Sequence, residues 1–63
     1  MKNYIIGSGG FSKEVYFILK RNNISIDGFV DIFTKKINID NKIYTTILET
    51  DILKTNPDGI NLY

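Results

Sequence analysis

Tyr4-Ile5-Ile6-Gly7-Ser8-Gly9-Gly10-Phe11-Ser12-Lys13-Glu14-Val15 is the stretch whose reading decides the fold. Its first three residues form an apolar run too short for a helix and closed by glycines. That is the pattern of a strand buried on both faces, as in a parallel sheet. Beyond the glycines, Phe11, Val15, Ile18 and Leu19 recur at the spacing of one helical stripe, with Lys13, Glu14, Lys20 and Arg21 off it. Lys20 and Arg21 fall where cations suit the helix dipole, and Asn22-Asn23 supplies a left-handed C-terminal cap.

Working outward, Ile24 to Ile32 alternates and then densifies at Phe29-Val30, predicting a second strand. Strand, glycine turn, helix and strand make one βαβ unit, expected to be right-handed. Thr34 to Asp40 reads as an exposed connector, and Ile43 to Leu48 as a short strand or ordered loop. Glu49 to Lys54 reads as one or two helical turns before the turn signal Asn56-Pro57-Asp58-Gly59. Ile60-Asn61-Leu62-Tyr63 reads as the start of a third strand. The fold class expected is therefore α/β, an incomplete Rossmann-like parallel-sheet fragment. The whole span 1–63 is read as one truncated domain.

With 63 residues, such a domain buries only about 60% of the surface of its unfolded chain. The sequence holds no cysteine and no histidine. Thiolate zinc sites, Ser-His-Asp triads and cysteine nucleophiles are thereby excluded within the chain. Eight basic residues against seven acidic ones give a net charge of +1, too balanced to point to nucleic acid or an anionic membrane. No stretch has the length of a membrane span, and the opening residues lack a signal segment, so a cytoplasmic location is expected.

The glycine loop carries the chemistry. Glycine at the first position permits the tight turn, and at the second it lets backbone approach a phosphate. The amides of the first helical turn and the helix dipole then hold the anion. Ser12 stands where Gly-x-Gly-x-x-Gly has its third glycine. Asp31 follows the second strand, where an acid accepts ribose hydroxyls. The bland alternative is a tight strand-to-helix turn and an aspartate that merely ends a strand. A Walker loop is a poor fit, because Ser12-Lys13-Glu14 puts a carboxylate beside the phosphates. Lys13 and Glu14 otherwise read as exposed residues of the first turn, and Lys35-Lys36 as a solvated pair. Asp27 and Asp40 read as turn or strand-edge residues, and the four tyrosines as packing residues, not base-stacking platforms.

The run from Tyr4 to Val15, with Gly28-Phe29-Val30-Asp31, resembles the N-terminal domain of the PglD/NeuD-type sugar acetyltransferases. The shared pattern is Gly-x-Gly-Gly-Phe/His, a small residue, Lys/Arg-Glu-Val, then Gly-Phe-hydrophobic-Asp. The resemblance covers Lys2 to Asp31 well and continues more faintly to Tyr63. It implies a site for a UDP-sugar, with Gly7, Ser8, Gly9, Gly10 and Phe11 at the loop and Asp31 at the nucleoside end. Ile32 replaces a second acid that many members carry. The resemblance also implies that acetyl-CoA and the catalytic histidine belong to a C-terminal left-handed β-helix, trimeric in such enzymes and absent here. No catalytic residue and no metal ligand is assigned in this chain, and no acyl transfer is expected from it alone. Two other classes stay open: a truncated NAD-dependent oxidoreductase or epimerase domain, and a noncatalytic relic.

A sheet with open edges invites pairing, so the isolated chain is expected to be marginally folded or to associate. Circular dichroism melting and size-exclusion at several concentrations test this. A monomer melting sharply above about 65 °C, beyond the usual mesophile range, would refute it.

Overall fold

The computed structural model describes residues 1–54 and 57–63. Strand β1 (Lys2–Ile6) leads through the glycine loop into helix α1 (Gly10–Arg21) and back to β2 (Gly28–Asp31). A hairpin of β3 (Lys36–Ile39) and β4 (Lys42–Thr45) follows, then β5 (Ile47–Leu48), the four-residue helix α2 (Glu49–Ile52), a 3₁₀ turn (Pro57–Gly59) and β6 (Ile60–Leu62). Four strands form a parallel sheet in the order β5-β2-β1-β6. The chain builds outward from β1 through β2 to β5, then returns to β1's other side. The order of strands thus reverses beside β1, where ligands lodge in open α/β sheets.

Strand alternation sends side chains to two faces, and two cores result. On one face Ile5 and Phe29 pack with Tyr16 of α1 and with Ile37 and Ile39 of the hairpin. On the other, Tyr4 and Val30 pack with Ile52 of α2, flanked by Ile47 and Ile60. Gly28 stands beside Tyr4 in the register, and a Cβ there would lie 3.3 Å from the tyrosine ring. That close approach explains a glycine at the head of Gly28-Phe29-Val30-Asp31.

The βαβ unit stands where the sequence puts it, with β2 shorter than Ile24 to Ile32 suggests. Asn23 has φ +63°, and the amides of Asn22, Asn23 and Ile24 return to the last helical carbonyls, so the left-handed cap is real. Ile60–Leu62 joins the sheet as its fourth strand, and pairing continues through Tyr63, whose carbonyl accepts from the Ile6 amide at 2.9 Å. Asn56 of the turn signal lies outside the described residues. The helical stripe differs. Ser12 and Tyr16 are buried, with Val15 and Leu19 half-buried, while Phe11 and Ile18 are exposed. The buried face is rotated because the tyrosine ring reaches Phe29, whereas Phe11 sits at the helix's open end.

The larger correction is the segment from Thr34 to Asp40, which is no exposed connector. Its second half is β3, and Ile37 and Ile39 are core residues. The hairpin turns through Asp40 and Asn41, with φ of 55° and 61°, the left-handed pair of a two-residue hairpin loop. Thr46 closes its base. Its hydroxyl donates to the Phe33 carbonyl at 2.9 Å and accepts from the Lys35 amide at 2.8 Å, and its own amide donates to the Lys35 carbonyl at 2.9 Å.

Thr46 is buried, so replacing its hydroxyl by a methyl strands the Lys35 amide. Thr46→Val is expected to cost about 1–3 kcal/mol, while Thr46→Ser, which keeps both bonds, costs less. Urea denaturation of the two variants checks this; equal midpoints would contradict the assigned role.

Candidate functional site

Gly7 leaves β1 with its amide bonded to the Val30 carbonyl at 2.7 Å, then turns at φ +93°. That backbone region is open to glycine at little cost. Of the loop glycines, Gly7 is therefore the one the turn itself requires. Gly9, at φ −80° and ψ −173°, is ordinary extended backbone, and a Cβ built on it or on Gly10 meets nothing within 4 Å. Space beside the loop, not backbone geometry, is what those two glycines keep.

Gly9 is the N-cap of α1. No side chain caps this helix, and no acidic residue lies in its first turn. Glu14, expected there from the sequence, falls in the second turn and is exposed, as is Lys13. The first amides of an uncapped helix lack intrahelical partners, so this end presents N–H groups and the positive end of the dipole. Ser12 turns inward: its hydroxyl donates to the Gly9 carbonyl at 2.5 Å and its amide to the same oxygen at 3.1 Å. In the place of a third glycine, it packs a small side chain and ties the loop to the helix.

Ser8 and Asp31 meet across the ends of β1 and β2. The buried Ser8 hydroxyl donates to Asp31 Oδ2, and the Ile32 amide donates to Oδ1 at 2.7 Å. The Ser8 bond, then the Ile32 amide, with help from the Lys35 charge, hold the Asp31 carboxyl below the usual aspartate range. Lys35 is thus more than one of a solvated pair. Its backbone is fixed by Thr46, its ammonium lies 5.7 Å from the centre of the Phe33 ring, and its charge reaches Asp31. Phe11 is exposed beside the loop, and Ile32 is exposed where a second acid would stand. Geometry therefore joins Ser8 to Asp31 directly, gathers Gly7, Gly9 and Gly10 on the loop, and leaves Phe11 free at its edge. The loop-to-acid bond was missed in the sequence; serine after the first glycine, with an aspartate ending the next strand, is its signal.

The family model of the PglD N-terminal domain matches residues 2–61. The chain belongs to that family. It is thereby an N-terminal domain of the sugar-acetyltransferase type, and the match runs well past Asp31, through the hairpin and α2 into β6. No curated protein and no solved structure matches the chain. No helix among the described residues is long and apolar enough to cross a membrane, and they contain no cluster of acidic side chains arranged to hold a metal ion.

Because the folded Asp31 pKa is depressed, its interactions stabilise the fold above the unfolded pKa, and that contribution fades as pH falls through the folded value. Ser8→Ala is expected to raise the Asp31 pKa toward the ordinary aspartate value. It should also destabilise the domain near neutral pH and not in strong acid. Carbon-13 titration of the Asp31 carboxyl is the measurement, and an unchanged midpoint would exclude Ser8 as the main cause.

Proposed function

We propose that this domain binds the UDP-sugar substrate of a sugar acetyltransferase at the loop after β1. The observation that carries the reading is the uncapped, acid-free N-terminus of α1, placed where the strand order reverses and beside a carboxylate already held ionised. The diphosphate lies over the amides that follow Gly9, in the space that Gly9 and Gly10 leave open. Each Asp31 oxygen takes one protein hydrogen bond and retains a lone pair for a ribose hydroxyl. Gly7 shapes the loop, Ser8 fixes Asp31, and Phe11 offers an exposed ring at the edge.

Acyl transfer lies elsewhere. The chain has no histidine, so a catalytic histidine, and acetyl-CoA with it, would come from a further domain of the kind that forms trimeric left-handed β-helices. The role of the present residues is to bind and orient the nucleotide end of the substrate. Family membership favours this reading over a nicotinamide-dependent oxidoreductase, for which Asp31 would serve the ribose equally well.

Gly9→Val should leave the fold intact, since the backbone there is ordinary and the space open. It should weaken UDP-N-acetylglucosamine binding by at least about tenfold, equivalent to about 1.4 kcal/mol. Gly7→Ala should instead lower stability. Amide shifts at Gly7 to Ser12 and Asp31, followed during titration, report both arms. Larger shifts with NAD than with the UDP-sugar would replace the reading by the oxidoreductase one, and undiminished binding by Gly9→Val would remove the loop from the site.

A further inference from the structure

A second cavity, of about 350 Å³, opens at the other end of α1, lined by Tyr16, Lys20, Asn23, Ser25, Lys42 and Tyr44 among others. It is remote from the glycine loop. From Gly9 to Lys20 the helix rises about 16 Å. The cavity's size falls within the range of small-molecule sites.

Its walls are of two kinds. The half-buried Tyr44 provides the aromatic surface, backed by the buried Tyr16 ring, which it meets edge-on with centres 6.2 Å apart and planes at 64°. Around them stand the polar groups, and their charges are unequal in availability. Lys20 is paired with Asp40, whose Oδ2 also accepts the Tyr16 hydroxyl at 3.2 Å. Burial, then the neighbouring Tyr44 and Asp40, push the Tyr16 phenol far above its usual range, so it stays a neutral donor. Lys42 differs. In the hairpin register it stands opposite Ile39, on the row that Ile37, Ile39 and Tyr44 turn toward α1, yet it is exposed. Among the described residues its ammonium has neither a hydrogen bond nor an ion pair, and the same holds for the Ser25 hydroxyl and the Asn23 side-chain amide.

We propose that this cavity is a second ligand site, for a small planar carboxylate. The exposed part of the Tyr44 ring takes the flat body, and Lys42, Ser25 and Asn23 take the carboxylate. One unpaired lysine balances one negative charge. A dianion such as phosphate would carry excess charge close to Asp40, whose carboxylate is already within the reach of Lys42. Nucleotide diphosphates are disfavoured on the same ground, which separates this site from the one at the glycine loop.

Titration of the labelled chain with benzoate tests this, with benzamide as the neutral isostere and inorganic phosphate as the dianion. Benzoate is expected to shift the amides of Asn23 to Ile26 and of Lys42 saturably, with benzamide and phosphate at least about fivefold weaker. Lys42→Gln, at an exposed position, should abolish the preference for benzoate over benzamide, and Tyr44→Leu should weaken both. Equal shifts from benzoate and benzamide, an unchanged response in Lys42→Gln, or benzoate shifts confined to Gly7–Ser12 would each overturn the proposal. None of these results depends on UDP-sugar binding.

Discussion

Phe29 of β2 has no exposed surface, and α1 and the hairpin both pack on its ring. Tyr16 of α1 stacks over it with centroids 6.2 Å apart, and Tyr44 of the hairpin meets it edge-on at 5.3 Å. Fully burying such a ring is worth about 1.5–3 kcal/mol by transfer alone, and aromatic pairing adds about 0.5–1.5 kcal/mol for each contact. For a chain of this size those are large fractions of the total stability. The placement of the glycine loop follows from this packing. Helix α1 is held at one angle to the sheet, so its N-terminus stands over the end of β1, one strand away from Asp31.

The two ends of that helix are treated in opposite ways. At the C-terminus every device is used: the amides of Asn22, Asn23 and Ile24 return to carbonyls, the Asn22 side chain donates to the Ile18 carbonyl at 2.8 Å, and Lys20 and Arg21 occupy the last turn. At the N-terminus no side chain caps the helix and no acid lies in the first turn. Glycine at the N-cap is acceptable but weaker than serine or aspartate. Ser8 is close in sequence, yet its hydroxyl is committed to Asp31. At the proposed diphosphate site, a bound anion would supply the cap energy that the side chains leave out.

What was legible in the sequence was the part governed by local rules. The strand before the glycines, the helix after them, the Asn22-Asn23 cap and Asp31 at the end of a strand all follow from short-range patterns. The hairpin was not legible, because its turn is Asp40-Asn41 without the usual glycine, and one of its strands presents Ile43 to solvent. Alternation at Ile37 and Ile39 was the available signal. The helical stripe departs from hydropathy for a different reason: hydropathy ranks Phe11 and Ile18 above Ser12 and Tyr16, and packing against Phe29 reverses that order. The loop glycines divide as the motif suggests: the positive φ of the tight turn belongs to Gly7, and the space beside Gly9 stays open.

The two faces of the sheet are unequal. Helix α1 and the hairpin cover one face with an aromatic core. On the other, α2 contributes four residues, of which Ile52 alone is buried, and its N-cap Leu48 has no side-chain bond to offer. Ile6, Leu53 and Leu62 remain substantially exposed around a cavity of about 200 Å³ that Val30 and Glu49 also line. Local opening free energies follow the density of buried apolar contacts, so the α2 side is expected to open more readily than the α1 side. The Gly7 turn and Ser8 follow β1, which Ile5 and Phe29 anchor on the stronger face, while Asp31 also pairs with Leu48 at the head of α2. The loop of the candidate site rests on the better-packed half of the molecule.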